Sequence, residues 1–192
     1  MLTIVWDVDD VLNDLMASWF RDAWLPLHPE CRVRYDQIGE NPPHRVLGAE
    51  KVEYLASLDA FRVSEAARRL SPNAAILDWL QTYGDRYRHV ALTARPLASA
   101  GAAAEWVFRH FGDYVRCFGV VPSRLDSAAP LYDTNKADFL KWFREADYFV
   151  DDSEENVTAV RKLGVTCLTY PQPWNRSKDG LELLTAHLNA TC

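Results

Sequence analysis

Basic residues are outnumbered in this sequence, 21 Lys and Arg against 27 Asp and Glu, which leaves a formal charge of −6. A broad nucleic-acid footprint needs a basic face, so no nucleic-acid polymer is expected as a partner. A small phosphorylated substrate is still allowed, because the field inside a cleft can oppose the net charge. Cysteine is sparse: Cys31, Cys117, Cys167 and Cys192 form no CxxC pair and show no Cys–His ligand spacing. That pattern suits neither a disulfide framework nor a zinc site, and reads as free thiols in a reducing compartment. No apolar run approaches the length of a membrane span, and Asp7, Asp9 and Asp10 interrupt the first one almost at once. No membrane partner is expected, and the cytoplasm is the expected location. Repeats and low-complexity stretches are also missing. What remains, 192 residues with 48% hydrophobic and 12% aromatic content, is enough for a core that needs no covalent staples.

The apolar pattern alternates between strand and helix. Leu2 to Trp6 reads as a buried strand with carboxylates at its tip, and Val11 to Trp24 carries apolar residues at helical spacing. Pro26, Pro29, Pro42 and Pro43 then break the chain, predicting irregular structure over 25–47. Short helices are expected over Ala49–Leu58 and Ser64–Leu70, and a longer one beginning at Ser71-Pro72 and ending before Gly84. Strands are predicted at His89–Leu92, Val115–Val121, Tyr148–Val150 and Val165–Leu168. Helices are predicted at Leu97–Phe111, Asn135–Arg144, Glu154–Leu163 and Leu181–Leu188. Such alternation predicts an α/β fold, a doubly wound parallel sheet covered on both faces. The stretch between the first two strands is far longer than a crossover requires. The expected division is therefore a core of residues 1–13 and 71–192, with 14–70 inserted as a small, mostly helical cap.

Four places on this scaffold carry polar residues suited to chemistry. Asp7-Val8-Asp9-Asp10-Val11 directly follows the first strand, and open parallel sheets bind ligands beyond the carboxyl ends of their strands. Leu92-Thr93-Ala94-Arg95-Pro96 offers a hydroxyl and backbone N–H groups suited to phosphate oxygens. Lys136 opens a helix, and Val150-Asp151-Asp152-Ser153 is a second strand ending in paired acids, which suit a hard cation such as Mg²⁺. Each has a structural alternative: the acids and Thr93 can cap helices, and Lys136 can be a solvated surface residue. The four in this order are improbable as separate coincidences.

In that order the four resemble the motifs of the haloacid-dehalogenase-like hydrolases, over residue 2 to about 170. Leu92–Pro96, Val150–Asp152 and Pro171-Gln172-Pro173-Trp174-Asn175 are similar to the deoxyribonucleotidase, or 5′-nucleotidase-like, branch. The resemblance implies a Rossmann-like core, with Asp7 as nucleophile forming an aspartyl-phosphate and Asp9 as general acid and base. It implies Mg²⁺ held by Asp7, the Asp9 carbonyl and one of the later acids, Asp152 in preference to Asp151, which would orient it or pair with Lys136. Thr93, Ala94 and Lys136 would hold phosphate oxygens, and Arg95 would either reach the same anion or brace the loop. One departure is Asp10, where relatives often carry Gly, which adds negative charge near the site. The expected substrate is a small phosphorylated molecule, a nucleotide before a sugar phosphate, with a receiver-like module disfavoured by motif order. Trp19, Phe20, Trp24, Tyr54 and Phe61, interleaved with His44, Arg45 and Arg62, could stack on a base or fill the cap's own core, and Trp174 could line the rim.

Overall fold

The computed structural model of the protein describes residues 1–123, 130 and 132–186. Its strands are β1 (Leu2–Trp6), β2 (Tyr87–Arg95), β3 (Val115–Pro122), β4 (Tyr148–Asp151) and β5 (Thr166–Thr169). They form one sheet in the order β3-β2-β1-β4-β5, with every pairing parallel. The chain moves outward from β1 to β3 and then returns to β4 on the other side of β1. This reversal splays the loops after β1 and β4 apart and opens a crevice at their carboxyl ends.

The two-residue period of β1 divides the core. Ile4 and Trp6 point to one face and pack with the helices that follow β1, together with α5 (Ala74–Tyr83) and α6 (Leu97–Phe111). Val5 points to the other face, where it meets Val90, Leu92 and Phe149 beneath α7 (Lys136–Phe143) and α8 (Glu154–Arg161). Both faces are covered, so the expected α/β sandwich and the continuous apolar character of β1 agree.

Between β1 and β2 lie α1 (Leu15–Trp19), α2 (Leu25–Leu27), α3 (Lys51–Arg62) and α4 (Glu65–Arg68). Trp19, Trp24, Ile38, Tyr54, Leu58 and Phe61 are buried there, in one apolar cluster with Ile4 and Trp6 of the sheet.

Several boundaries differ from expectation. The helix predicted from Val11 starts at Leu15, because residues 8–12 form a separate wide turn whose Asp9 and Asp10 have non-helical backbone angles. Pro26 does not stop the helix. The preceding Phe20–Trp24 stretch is π-type, with Leu25 N–H bonded to the Phe20 carbonyl, and Pro26 falls in the first turn of α2, where its missing N–H breaks no bond. The helix assigned to Ser71-Pro72 starts at Ala74: Asn73 is its cap, and Pro72 instead bridges to Asn13. Helix α4 is a single turn capped by Ser64. β2 is longer than predicted and carries Thr93 and Arg95 inside the strand. Of the helix predicted at Leu181–Leu188, the described part is one 3₁₀ turn, Leu181–Leu184; its last two residues, and Cys192, lie outside the described residues.

Candidate active site at the strand tips

Register brings the first motif together. Trp6 lies level with Ala91 on β2 and Val150 on β4, so the next residue, Asp7, sits between Leu92 and Asp151. The Asp7 N–H donates to the Val150 carbonyl at 2.8 Å, which fixes the strand tip. Its Oδ1 accepts from the Val8 N–H at 2.7 Å and lies 2.6 Å from Lys136 Nζ. Lys136 is the first residue of α7, 1% exposed, and its ammonium also donates to Asp151 Oδ2 at 2.7 Å. It is therefore no surface lysine. Burial alone would lower its pKa, but Asp151 and Asp7 hold it above the ordinary lysine value. Asp7 moves upward: burial is the largest cause, opposed by Lys136 and reinforced by Asp151 and Asp152.

The second pair of acids divides its work. Asp151 Oδ1 accepts from the Ser153 N–H at 2.9 Å and from Asn156 Nδ2 at 3.1 Å, and its Oδ2 takes Lys136. Both of its oxygens are thus engaged. Asp152 Oδ2 accepts from Trp174 Nε1 at 2.7 Å, and its other oxygen has no hydrogen-bond partner among the described residues. Burial, then the charges of Asp151 and Asp10, push the Asp152 carboxyl up, while Lys136 and the Trp174 bond oppose this. Asn175 Nδ2 ties the Asp152 and Tyr170 carbonyls together at 2.8 and 2.9 Å. Trp174 thus stands at the site, touching an acid. Asn156 went unnoticed in the sequence, although the third position of a helix capped by Ser153 faces back toward the strand tip that precedes it.

Oxygens of Asp7, Asp151 and Asp152 lie within 4.8 Å of one another. Three buried carboxylates face one ammonium, and a hard divalent cation fits that donor set.

Asp9 is held differently. Its Oδ1 is hydrogen-bonded by Arg95, and its Oδ2 lies 3.4 Å from an Arg62 nitrogen at the end of α3. Arg95 also donates to the Thr93 hydroxyl at 3.3 Å and reaches the Ser99 carbonyl at 3.5 Å. Its guanidinium is thus bonded to Asp9, Thr93 and the Ser99 carbonyl, and Arg95 is not among the residues lining the crevice. Accepting from Arg95 leaves the Thr93 hydroxyl hydrogen free to donate.

Asp10 has partners of its own. Its φ of 62° places it in the left-handed region, which accounts for the glycine that the motif usually has there. Its Oδ1 accepts from the Met16 N–H at 2.8 Å, capping α1, whose own N-cap residue Asp14 makes no side-chain cap bond. Gln172 Nε2 holds the Asp10 carbonyl at 2.7 Å. The added carboxylate thus caps a helix through Oδ1, while Asp10 still lines the crevice and its charge acts on Asp152. Burial raises its pKa, and the Met16 N–H opposes that.

These groups enclose a crevice of about 150 Å³. Asp7, Asp9, Asp10, Thr93, Ala94, Lys136 and Asp152 line the side of the strand tips, and Leu15, Met16, Asn41, Tyr54, Leu58 and Arg62, from the segment between β1 and β2, line the other. Trp19, Phe20, Trp24 and Phe61 are buried in the core cluster they share with β1, so among the aromatics of residues 14–70 Tyr54 alone lines the crevice. His44 and Arg45 do not line it.

No family model matches the chain, and no curated protein matches it. Solved structures do. A haloacid dehalogenase-like hydrolase of Streptococcus pneumoniae superposes with a TM-score of 0.60 at 12% identity, over 87% of this chain and 83% of its own. A HAD-superfamily hydrolase, subfamily IA, from Geobacter sulfurreducens gives 0.56 at 19% identity, over 97% and 96%. A putative beta-phosphoglucomutase of Thermotoga maritima gives 0.54 at 20% identity, over 97% and 91%. At these identities the likeness is one of fold: the chain has the haloacid-dehalogenase-like fold. None of the three bears a nucleotidase name, and the deoxyribonucleotidase branch gains no support from them.

Proposed function

We propose that the protein is a Mg²⁺-dependent phosphatase that hydrolyses a phosphate monoester through an aspartyl-phosphate on Asp7. The observation that carries this reading is the convergence of Asp7, Asp9, Thr93, Lys136 and Asp152 on one crevice at the carboxyl ends of parallel strands. Asp7 Oδ1 is pinned by the Val8 N–H and Lys136, which leaves Oδ2 to attack phosphorus. As the bond from phosphorus to the ester oxygen breaks, Asp9 gives that oxygen a proton. Asp9 then takes a proton from water as its oxygen attacks the phosphorus, releasing inorganic phosphate and the Asp7 carboxylate. The Thr93 hydroxyl, the Ala94 backbone and Lys136 hold the phosphoryl oxygens. Mg²⁺, held by Asp7, the Asp9 carbonyl and Asp152, would offset repulsion between the attacking carboxylate and the phosphate dianion. The free oxygen of Asp152 supports it as the direct ligand, with Asp151 as the residue that orients Lys136.

Residues 14–70 act in this reading as a cap over the crevice, and the small crevice with one cap aromatic favours a compact metabolite over a nucleotide. The test is phosphate release from a panel of phosphate monoesters with and without Mg²⁺, beside Asp7→Asn. Release should require the metal, and the variant should stay folded and lose about 10³-fold or more of the rate. Undiminished hydrolysis by Asp7→Asn would sink the mechanism.

A further inference from the structure

Resting on the phosphatase reading, we propose that Arg62 is a specificity residue and that the substrate is a compact phosphate monoester with a second anionic group close to the ester oxygen. Arg62 is the last residue of α3, and among the described residues it is the cation on the cap side of the crevice. Its side chain is only 11% exposed, yet its hydrogen bonds are long: 3.4 Å to Asp9 and 3.3 Å to Asp59. Bonds between a guanidinium and a carboxylate normally fall at about 2.7–2.9 Å. Its Nε is buried and has no hydrogen-bond partner among the described residues. A buried, unpartnered donor on a charged group is costly unless something else satisfies it.

Asp9 does not need Arg62, because Arg95 already holds its other oxygen. Location then suggests what Arg62 is for. Asp9 faces the ester oxygen, and Arg62 approaches Asp9 from the cap. The guanidinium therefore lies on the leaving-group side, beside substituents a bond or two beyond that oxygen. Its planar fork matches the two oxygens of a carboxylate or a phosphate. The rest of the cap-side wall among the described residues, Leu15, Met16, Asn41, Tyr54 and Leu58, carries no competing charge. A crevice of about 150 Å³ is also small, since sites for drug-sized ligands span roughly 300–1,000 Å³.

Matched substrates test this with Mg²⁺ present. 2-Phosphoglycolate carries a carboxylate, ethane-1,2-diol bisphosphate a second phosphate, and 2-hydroxyethyl phosphate only a hydroxyl; AMP and dAMP supply the nucleotide arm. One of the two doubly anionic compounds should exceed the hydroxyl compound in kcat/KM by about tenfold to a hundredfold, the range of a charged hydrogen-bond pair. Which one leads identifies the anion. In Arg62→Gln that ratio should fall to near one, and Arg62→Lys should keep part of it. Release from all compounds without such preference, a preference for nucleotides, or a ratio that survives Arg62→Gln would overturn the inference and leave the phosphatase standing. Release from none of them would overturn the phosphatase reading and the inference with it. The wild-type ratios decide even if the glutamine variant folds poorly.

Discussion

Among the described residues Lys136 and Arg62 are the two cations that line the crevice, one on the sheet side and one on the side of residues 14–70, and they are held in opposite ways. Lys136 is 1% exposed and makes two bonds of 2.6 and 2.7 Å to carboxylates fixed by strand hydrogen bonds. Arg62 makes two bonds of 3.4 and 3.3 Å and leaves one nitrogen without a partner among the described residues. On the sheet side the charges are positioned by backbone register and by each other, with one Asp152 oxygen left without a hydrogen-bond partner among the described residues. The cap side is incomplete without a further anion. Preorganised groups suit the reacting phosphoryl group, common to every monoester, whereas groups awaiting a partner suit the part of the substrate that differs.

The largest test of that contrast is Lys136→Met. Removing the ammonium strands Asp7 and Asp151 as uncompensated buried charges, and breaking a buried pair in this way typically costs about 3–5 kcal/mol. Urea unfolding should show that loss, and turnover should vanish with it. Adding Asp151→Asn should restore stability in part and activity not at all. If Lys136→Met unfolds at the wild-type midpoint, the sheet side is not the rigid half.

Metal addition probes the same cluster from the other side. Burial raises the pKa of Asp7 and of Asp152, so the folded state holds their protons to higher pH than the unfolded chain does. Their ionisation then costs nothing below about pH 3.8, costs progressively more as pH rises toward the folded values, and costs its full amount above them. Mg²⁺ should offset that cost where the groups are ionised. At neutral pH and a hundredfold excess over Kd the melting temperature should rise by about 5–10 °C, and near pH 4 it should barely move. Asp152→Asn should remove most of the rise. A wild-type melting curve indifferent to Mg²⁺ would count against a metal site here.

Arg95 belongs to the fixed side although it acts on Asp9. Arg95→Gln should lower kcat by about 10–100-fold, because Asp9 loses the group that orients it. Inhibition by inorganic phosphate should weaken little, since Arg95 does not line the crevice. A large rise in the phosphate inhibition constant would mean that Arg95 binds the anion after all.

The fixed side was also the more legible one in the sequence. An apolar run ending in acids marks a strand tip, and parallel register then brings Asp7 and Asp151 together without further information. Lys136 was legible as a helix start but not as a buried residue, because burial depends on carboxylates 129 and 15 positions away in the chain. Arg62 reads locally as an ordinary basic residue in a last helical turn, favourable to the helix dipole, and only the tertiary approach of the end of α3 to the turn after β1 reveals Asp9 beside it. The cap aromatics carried no signal that could separate a stacking platform from a core. Pro26 misled because the break it predicts is absorbed by the widened turn before it.

Asp10 sharpens the comparison by the smallest margin, since it sits in the acid cluster yet serves the cap helix α1. Two opposing costs meet there. A non-glycine residue at φ 62° is disfavoured by about 1 kcal/mol relative to glycine, and losing a capping side chain costs about 0.5–2 kcal/mol. Asp10→Gly relieves the first and suffers the second, and it also removes a buried charge near Asp9 and Asp7. Its unfolding free energy should therefore stay within about 1 kcal/mol of wild type. Asp10→Ala suffers the loss of the cap and keeps the left-handed backbone, so it should lose about 1–3 kcal/mol. Urea unfolding of the two variants side by side separates the terms. If they lose equal stability, backbone conformation contributes nothing, and the residue is retained for the bond to Met16 alone.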